Sequence, residues 1–259
     1  MSTDSPFCSA HSDLLDTWTR LLRSPGPLVD DMTAPGGLSR HAPALLAATV
    51  AGGALLGSVV GSHHGGIQTL FAAIKTPLLF IVPPLFALPA VEAAWSLVGT
   101  PLSGTRLRAA VLVGMARAAV VAAALGPFLW LWTSGGVGYH MAVLGFVGTI
   151  LFAGLPGLWT VLTALPRPSE LRGALFVGSL ALLGTVFAQT GWLLRPFVAR
   201  PNGEVTFLRG VEENVYSSID ASQRSARGRY DGWSTRSEGF LVEEPVRPSP
   251  SVLEAGGGR

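Results

Sequence analysis

The sequence predicts an all-α fold, a polytopic bundle of about five transmembrane helices with short amphipathic helices in both tails. Three observations carry that prediction. Of 259 residues, 49% are hydrophobic and 13% charged, roughly half the charged share of an ordinary soluble domain. The charges are segregated: between His41 and Leu193 stand only Lys75, Glu92, Arg106, Arg108, Arg117, Arg167, Glu170 and Arg172. That middle also divides into apolar runs of about 20 residues, the helical length that crosses a hydrocarbon core of about 30 Å. A soluble one-domain enzyme needs charge over its whole surface, so that class is excluded.

In chain order, residues 1–42 read as a cytoplasmic tail containing one amphipathic helix over 12–23. There Leu14, Leu15, Trp18, Leu21 and Leu22 share a face, Ser12 suits an N-cap and Pro25 a stop. That face fits the membrane surface or, equally, the side of the helix bundle or a partner. No basic segment leads directly into an apolar run, so no cleavable secretory signal is expected. The transmembrane domain covers 43–198, with spans at about 43–61, 71–98, 109–132, 140–164 and 173–194. The second holds Pro77, Pro83, Pro84 and Pro89, which predicts a kinked or interrupted helix. Splitting it in two would leave pieces of about 14 residues, too short to cross. After the last span, Phe207, Leu208, Val211, Val215 and Ile219 recur at helical spacing within an amphipathic juxtamembrane segment, 199–221, and a Ser/Arg/Gly/Pro-rich tail, 222–259, reads as disordered.

Orientation follows from basic residues near the span ends. With the N-terminus inside, the inner side receives Arg20, Arg23, Arg40, Arg106, Arg108, Arg167 and Arg172, and the opposite short loops hold only Lys75. Arg195, Arg200 and Arg209 follow the last span and oppose this, as a minority. The expectation is N-inside and C-outside in a bacterial inner membrane. Lys75 is the only lysine beside many arginines, and Ala and Gly are abundant, a composition typical of GC-rich bacterial genomes. The lone Cys8 excludes an intrachain disulfide, and no segment has the charge of a nucleic-acid-binding arm.

Small residues recur every four positions at Gly53, Gly57 and Gly61 and again at Gly114, Ala118, Ala122 and Gly126. Such faces let helix backbones approach closely in lipid; they suit packing within the chain or, alternatively, a homodimer. Arg117 falls about eight residues inside the third span, where a bare charge costs several kcal/mol. Glu92, near the inner end of the second span, is its expected ion-pair partner, with snorkelling as the alternative. On the outer side Gln68, Lys75, His140, Gln189 and Arg195 fall near one level and suggest a polar pocket, or else a set of independent interface anchors. His63, His64 and His140 have no fixed helical spacing and no nearby carboxylate for a metal.

No catalytic constellation emerges. Gly99–Arg106 imitates the glycine spacing of a phosphate loop but lacks its Gly-Lys-Ser/Thr ending. There is no Gly-x-Ser-x-Gly elbow and no His-Glu-x-x-His. Glu92 is the only acid within the spans. No cofactor is called for.

Gly65-Gly66-Ile67-Gln68-Thr69-Leu70, Lys75-Thr76-Pro77-Leu78-Leu79, Tyr139-His140 and Gln189-Thr190-Gly191-Trp192-Leu193-Leu194-Arg195-Pro196-Phe197 resemble a family of uncharacterised bacterial multi-pass membrane proteins. The resemblance covers about residues 60–220, and the segment around Trp192 is its most specific part. Members sometimes carry the labels Yip-type, which describes five-helix trafficking proteins, or actin-binding. The latter requires a Leu-Lys-Lys-Thr-like element that this chain lacks. The resemblance implies an architecture rather than an activity. The functional expectation is a non-enzymatic scaffold or assembly component of a membrane or envelope complex, with the bilayer, other membrane proteins or further copies of the chain as partners. A small transporter or channel subunit is the alternative, and an intramembrane or lipid-modifying enzyme the third reading.

Overall fold

Among the described residues every regular element is a helix: α1 (Pro6–Arg23), α2 (Pro25–Thr33), α3 (Gly37–Ser62), α4 (Ile67–Leu97), α5 (Gly104–Ser134), α6 (Tyr139–Ala164) and α7 (Glu170–Leu194). The computed structural model describes residues 6–97, 103–164 and 170–194, together with Phe197. The chain divides into units 1–215 and 216–259, and all of these residues belong to the first. The expected juxtamembrane segment 199–221 and tail 222–259 lie outside the described residues.

Helices α3 to α7 are each long and apolar enough to cross a membrane, the shortest qualifying stretch, in α7, being 22 residues. At 1.5 Å per residue that is about 33 Å, so the protein is a multi-pass membrane protein with five candidate spans. The helices begin earlier than the apolar runs: α3 starts at Gly37 and α5 at Gly104. Polar first turns continue a helix at no cost where they face water or headgroups. Despite four internal prolines, α4 is one uninterrupted helix of 31 residues, so the expected interruption is absent. Immediately before the first proline, Thr76 Oγ1 donates to the Ala72 carbonyl at 2.8 Å.

Helix α3 packs along both α4 and α5, α5 along α6, and α7 along α4, while α6 and α7 scarcely touch. The α3–α4 turn is made by Gly65 and Gly66, both at positive φ (78° and 60°), a conformation that favours glycine. One core lies in the half of the bundle far from the N-terminus, around Leu56, Leu79, Phe80, Phe146 and Ile150. A second, at the N-terminal end, joins Leu21, Leu28, Val29 and Met32 to Leu45, Val113 and Ala164.

Residues 6–33 form two helices packed on the spans. Helix α1 ends at Arg23, as expected of a stop at Pro25; a further helix, α2, not expected from the sequence, begins at Pro25 itself, where its missing N–H is no loss. Leu28, Val29 and Met32 then share a buried face. Of the alternatives offered for helix α1, docking on the bundle is the one the packing shows. Thr17 and Leu21 dock on the bundle, while Leu15, Trp18 and Leu22 stay substantially exposed.

Candidate functional site

The small-residue faces are consumed inside the chain. A Cβ added at Gly53 would lie 2.9 Å from the Pro77 backbone, one at Gly57 2.2 Å from the Ala72 carbonyl, and one at Gly61 2.5 Å from Thr69 Cα. Gly114 and Gly157 face each other across the α5–α6 seam, their added Cβ atoms 2.8 and 2.4 Å from the opposite carbonyl oxygens. Ala118 touches that same seam and Ala122 is fully buried, whereas Gly126 has ordinary space, 3.5 Å to Val59 Cγ2. Gly52, which falls outside the four-residue series, brings α3 against the Ala119 backbone of α5. Helix α3 therefore has two close-packed faces, one for each neighbour.

The Arg117–Glu92 pair does not form. Glu92 Oε1 accepts from Arg108 Nε at 2.9 Å, and Arg108 also donates to the Gly104 carbonyl at 3.2 Å. Arg117 instead donates through Nη1 to Thr160 Oγ1 at 3.1 Å. The reason is register. Glu92 lies five residues before the end of α4 and Arg108 four residues after the start of α5, so the antiparallel pair meets at one level. Arg117 is nine residues deeper, about 13 Å along the axis, level instead with the middle of α4. Its solution is a hydroxyl on the neighbouring α6.

At the N-terminal end, polar bonds fasten α1 and α2 to the spans. Thr17 Oγ1 and His41 Nδ1 are 3.1 Å apart, and Trp18 Nε1 donates to the Ala44 carbonyl at 3.0 Å. Arg20 bridges Asp16 and Asp31. Arg106 pairs with Asp30 at 3.0 Å and donates to the Ala164 carbonyl at 2.8 Å, satisfying an acceptor that the end of α6 leaves open. Hydrogen bonding and charge from Arg20 hold the Asp31 carboxyl below the ordinary aspartate value. Sequence reasoning offered bundle docking for α1 as one option but missed α2 and these polar bonds. Their partners are long-range, and the only local signal was the Leu28, Val29, Met32 spacing after Pro25.

At the opposite end, Gln68 and Lys75 are both fully buried on α4. Gln68 Nε2 donates to the Phe197 carbonyl at 2.8 Å, and the Phe197 ring lies 5.1 Å from that of Phe146. The expected polar group is therefore strung along the axis rather than gathered at one level. Gln68 and Lys75 are two turns apart, about 10 Å. Gly191 comes against Leu79, which sets half-buried Gln189 deeper than Lys75. The side chain of His140 and the whole of Arg195 lie outside the described residues. His63 and His64 occupy the turn that follows α3. No group of three metal-ligating side chains occurs among the described residues.

The two helices least covered by the rest of the bundle differ in chemistry. Helix α6 shows the exterior large side chains, Leu144, Val147, Leu151, Phe152, Leu155 and Trp159, all exposed by 45% or more. Helix α7 is only 6% buried over its apolar stretch. Its exposed positions include Ala174, Gly178, Ala181, Thr185 and Ala188, spaced four, three, four and three residues apart on one stripe. A Cβ added at Gly178 or Gly184 would meet nothing within 4 Å, as would one at Gly148 or Gly154 of α6. No family model, curated protein or solved structure matches this chain, so the site is read from its own residues.

Proposed function

We propose that this protein is a non-enzymatic scaffold or assembly component of a membrane or envelope complex, and that α7 is the helix on which it receives a partner. The observation that carries this reading is the contrast between the exposed faces of α6 and α7, its two least covered helices. Large branched and aromatic side chains, as on α6, fill the uneven surface of lipid tails. A stripe of Ala, Gly and Thr at alternating four- and three-residue spacing leaves a shallow groove, the surface against which another helix packs closely in a bilayer. The same chain uses small residues for that purpose at Gly57 and Gly114, where the neighbour is present. On α7 the neighbour would come from another membrane protein or a second copy of the chain.

The finer placement proposed is a bacterial inner membrane with the N-terminus inside and the C-terminus outside. Its support is the clustering of Arg20, Arg40, Arg106 and Arg108 at the N-terminal end of the bundle, against Lys75 toward the other. The test is affinity purification of the intact chain from native membranes after mild crosslinking. Gly178→Leu and Ala181→Leu should each abolish a reproducible co-purifying membrane protein or chain dimer while leaving the monomer folded. Leu151→Ala on α6 should leave it. Equal recovery from all three variants overturns the assignment of α7.

A further inference from the structure

Helix α1 carries more apolar surface than its docking on the bundle uses. Going round its axis, three sectors follow one another. Thr17 and Leu21 are buried against the spans. Trp18, Leu22 and Leu15 come next, 40%, 49% and 51% exposed. Asp16, Thr19 and Arg23 then form an exposed polar sector. A helix lying between a bundle and water needs two sectors, one apolar and one polar. The third, set between the other two, calls for a second apolar neighbour.

The depth of the strip identifies that neighbour. Trp18 Nε1 donates to the Ala44 carbonyl at 3.0 Å, and Ala44 stands at the start of the apolar run of α3, just past the exposed Ser39 and Arg40 of its polar first turn. The bond therefore fixes α1 at the level where the hydrocarbon of the first span begins. Ala44 also heads a stripe along α3: Ala44, Ala47, Ala51 and Leu55, spaced three, four and four residues apart. Ala44 is buried where Trp18 meets it, and the other three are exposed along the side of the span. The apolar wall of α3 is thus continuous with the ring of Trp18 and the leucines beside it. Helix α2 supplies the contrast. It packs on α3, α5 and α6 and turns Pro27, Asp30 and Asp31 outward, a surface made for water.

We infer that α1 is an interfacial helix: docked on α3 through Thr17, Trp18 and Leu21, it lays Leu15, Trp18 and Leu22 into the boundary between headgroups and acyl chains of the leaflet at the N-terminal end of the bundle. Trp18 serves both contacts. Its N–H is satisfied by the Ala44 carbonyl, and its exposed ring is of the kind that sits best at this boundary. Apolar contact holds the helix there, with little help from charge, because Arg20 is engaged by Asp16 and Asp31. The surface is separate from the partner face proposed on α7.

The test is electron paramagnetic resonance of the intact chain in phosphatidylcholine vesicles. In a Cys8→Ser background a nitroxide is attached at Leu15→Cys or Leu22→Cys in the strip, at Thr19→Cys in the polar sector, and at Ala51→Cys on the wall of α3 as the lipid reference. All four positions are exposed, so the packed face of α1 stays intact. Collision with oxygen, which concentrates in hydrocarbon, is compared with collision with a water-soluble nickel chelate. The oxygen-to-nickel ratio at positions 15 and 22 should exceed that at 19 several-fold and lie between the values at 19 and 51. Replacing part of the lipid by phosphatidylglycerol should leave it unchanged; a rise at 15 and 22 with the anionic share overturns the apolar origin of the contact. Nickel access at 15 and 22 equal to that at 19 overturns the proposal. So does exclusion of both probes from 15 and 22, which would mark a polypeptide over the strip.

Discussion

Glycines that look alike in the sequence should respond oppositely to one added methyl group. Gly57→Ala places a Cβ 2.2 Å from the Ala72 carbonyl oxygen and 2.7 Å from both the Ala72 carbonyl carbon and Thr76 Oγ1. Two of these three atoms are backbone, so no rotamer change relieves the contact. Restoring ordinary distance moves α4 away from α3 by more than 1 Å along the principal seam of the bundle. Overpacking of this kind costs about 1–3 kcal/mol, here toward the upper end, less the roughly 0.8–1 kcal/mol by which Ala favours helix over Gly. The net loss is about 1–2 kcal/mol. Gly126→Ala meets only Val59 Cγ2 at 3.5 Å, an ordinary contact, so it keeps the helix-propensity gain and stabilises by up to about 1 kcal/mol. At about 2–4 °C per kcal/mol for a chain of this size, thermal unfolding followed by size-exclusion in detergent should show Gly57→Ala melting several degrees below the parent and Gly126→Ala at or above it. Equal shifts in the two variants would refute the packing described for α3 and α4.

Other consequences can be measured separately. A double-mutant cycle between Glu92 and Arg108 should give a coupling of about 0.2–1 kcal/mol, the range for half-exposed ion pairs, whereas a cycle between Glu92 and Arg117 should give none; coupling only in the second would restore the pairing expected from the sequence. Leu28→Ala, removing a fully buried side chain from α2, should cost about 2–5 kcal/mol and raise amide hydrogen exchange in α1 and α2 before it does so in α3 to α6. Asp31 ionises more easily in the folded chain than in the unfolded one, so its contribution is present above about pH 4 and lost as pH falls through its lowered folded value. Protease cleavage within α1 and α2 should therefore increase on acidification below pH 4, and less so in Asp31→Asn; an equal increase would show that the Arg20–Asp31 bond does not hold the layer.

The apolar runs made the five spans legible because span length is set by bilayer thickness and needs no partner. Helix-to-helix register was not legible in the same way. An error of nine residues gave Glu92 to Arg117, although Arg108 was visible at the matching distance from the connection. The glycine series of α3 and α5 announced close packing, yet nothing local separated Gly57, pressed against backbone, from Gly126, which has room. Helix α2 was lost because Pro25 signals a helix start as readily as an end. The α7 stripe was overlooked for a different reason: Ala, Gly and Thr at packing spacing carry information only once the structure shows them uncovered.

The most direct measurement of the scaffold reading is photocrosslinking in native membranes from a benzoylphenylalanine replacing Leu182, which flanks that stripe, beside the same replacement at Leu151 on α6. Both residues are already large and exposed, so neither replacement should disturb the packed seams. A discrete polypeptide adduct from position 182, with none from position 151, is the predicted result. Lipid adducts alone from both positions would contradict a partner on α7.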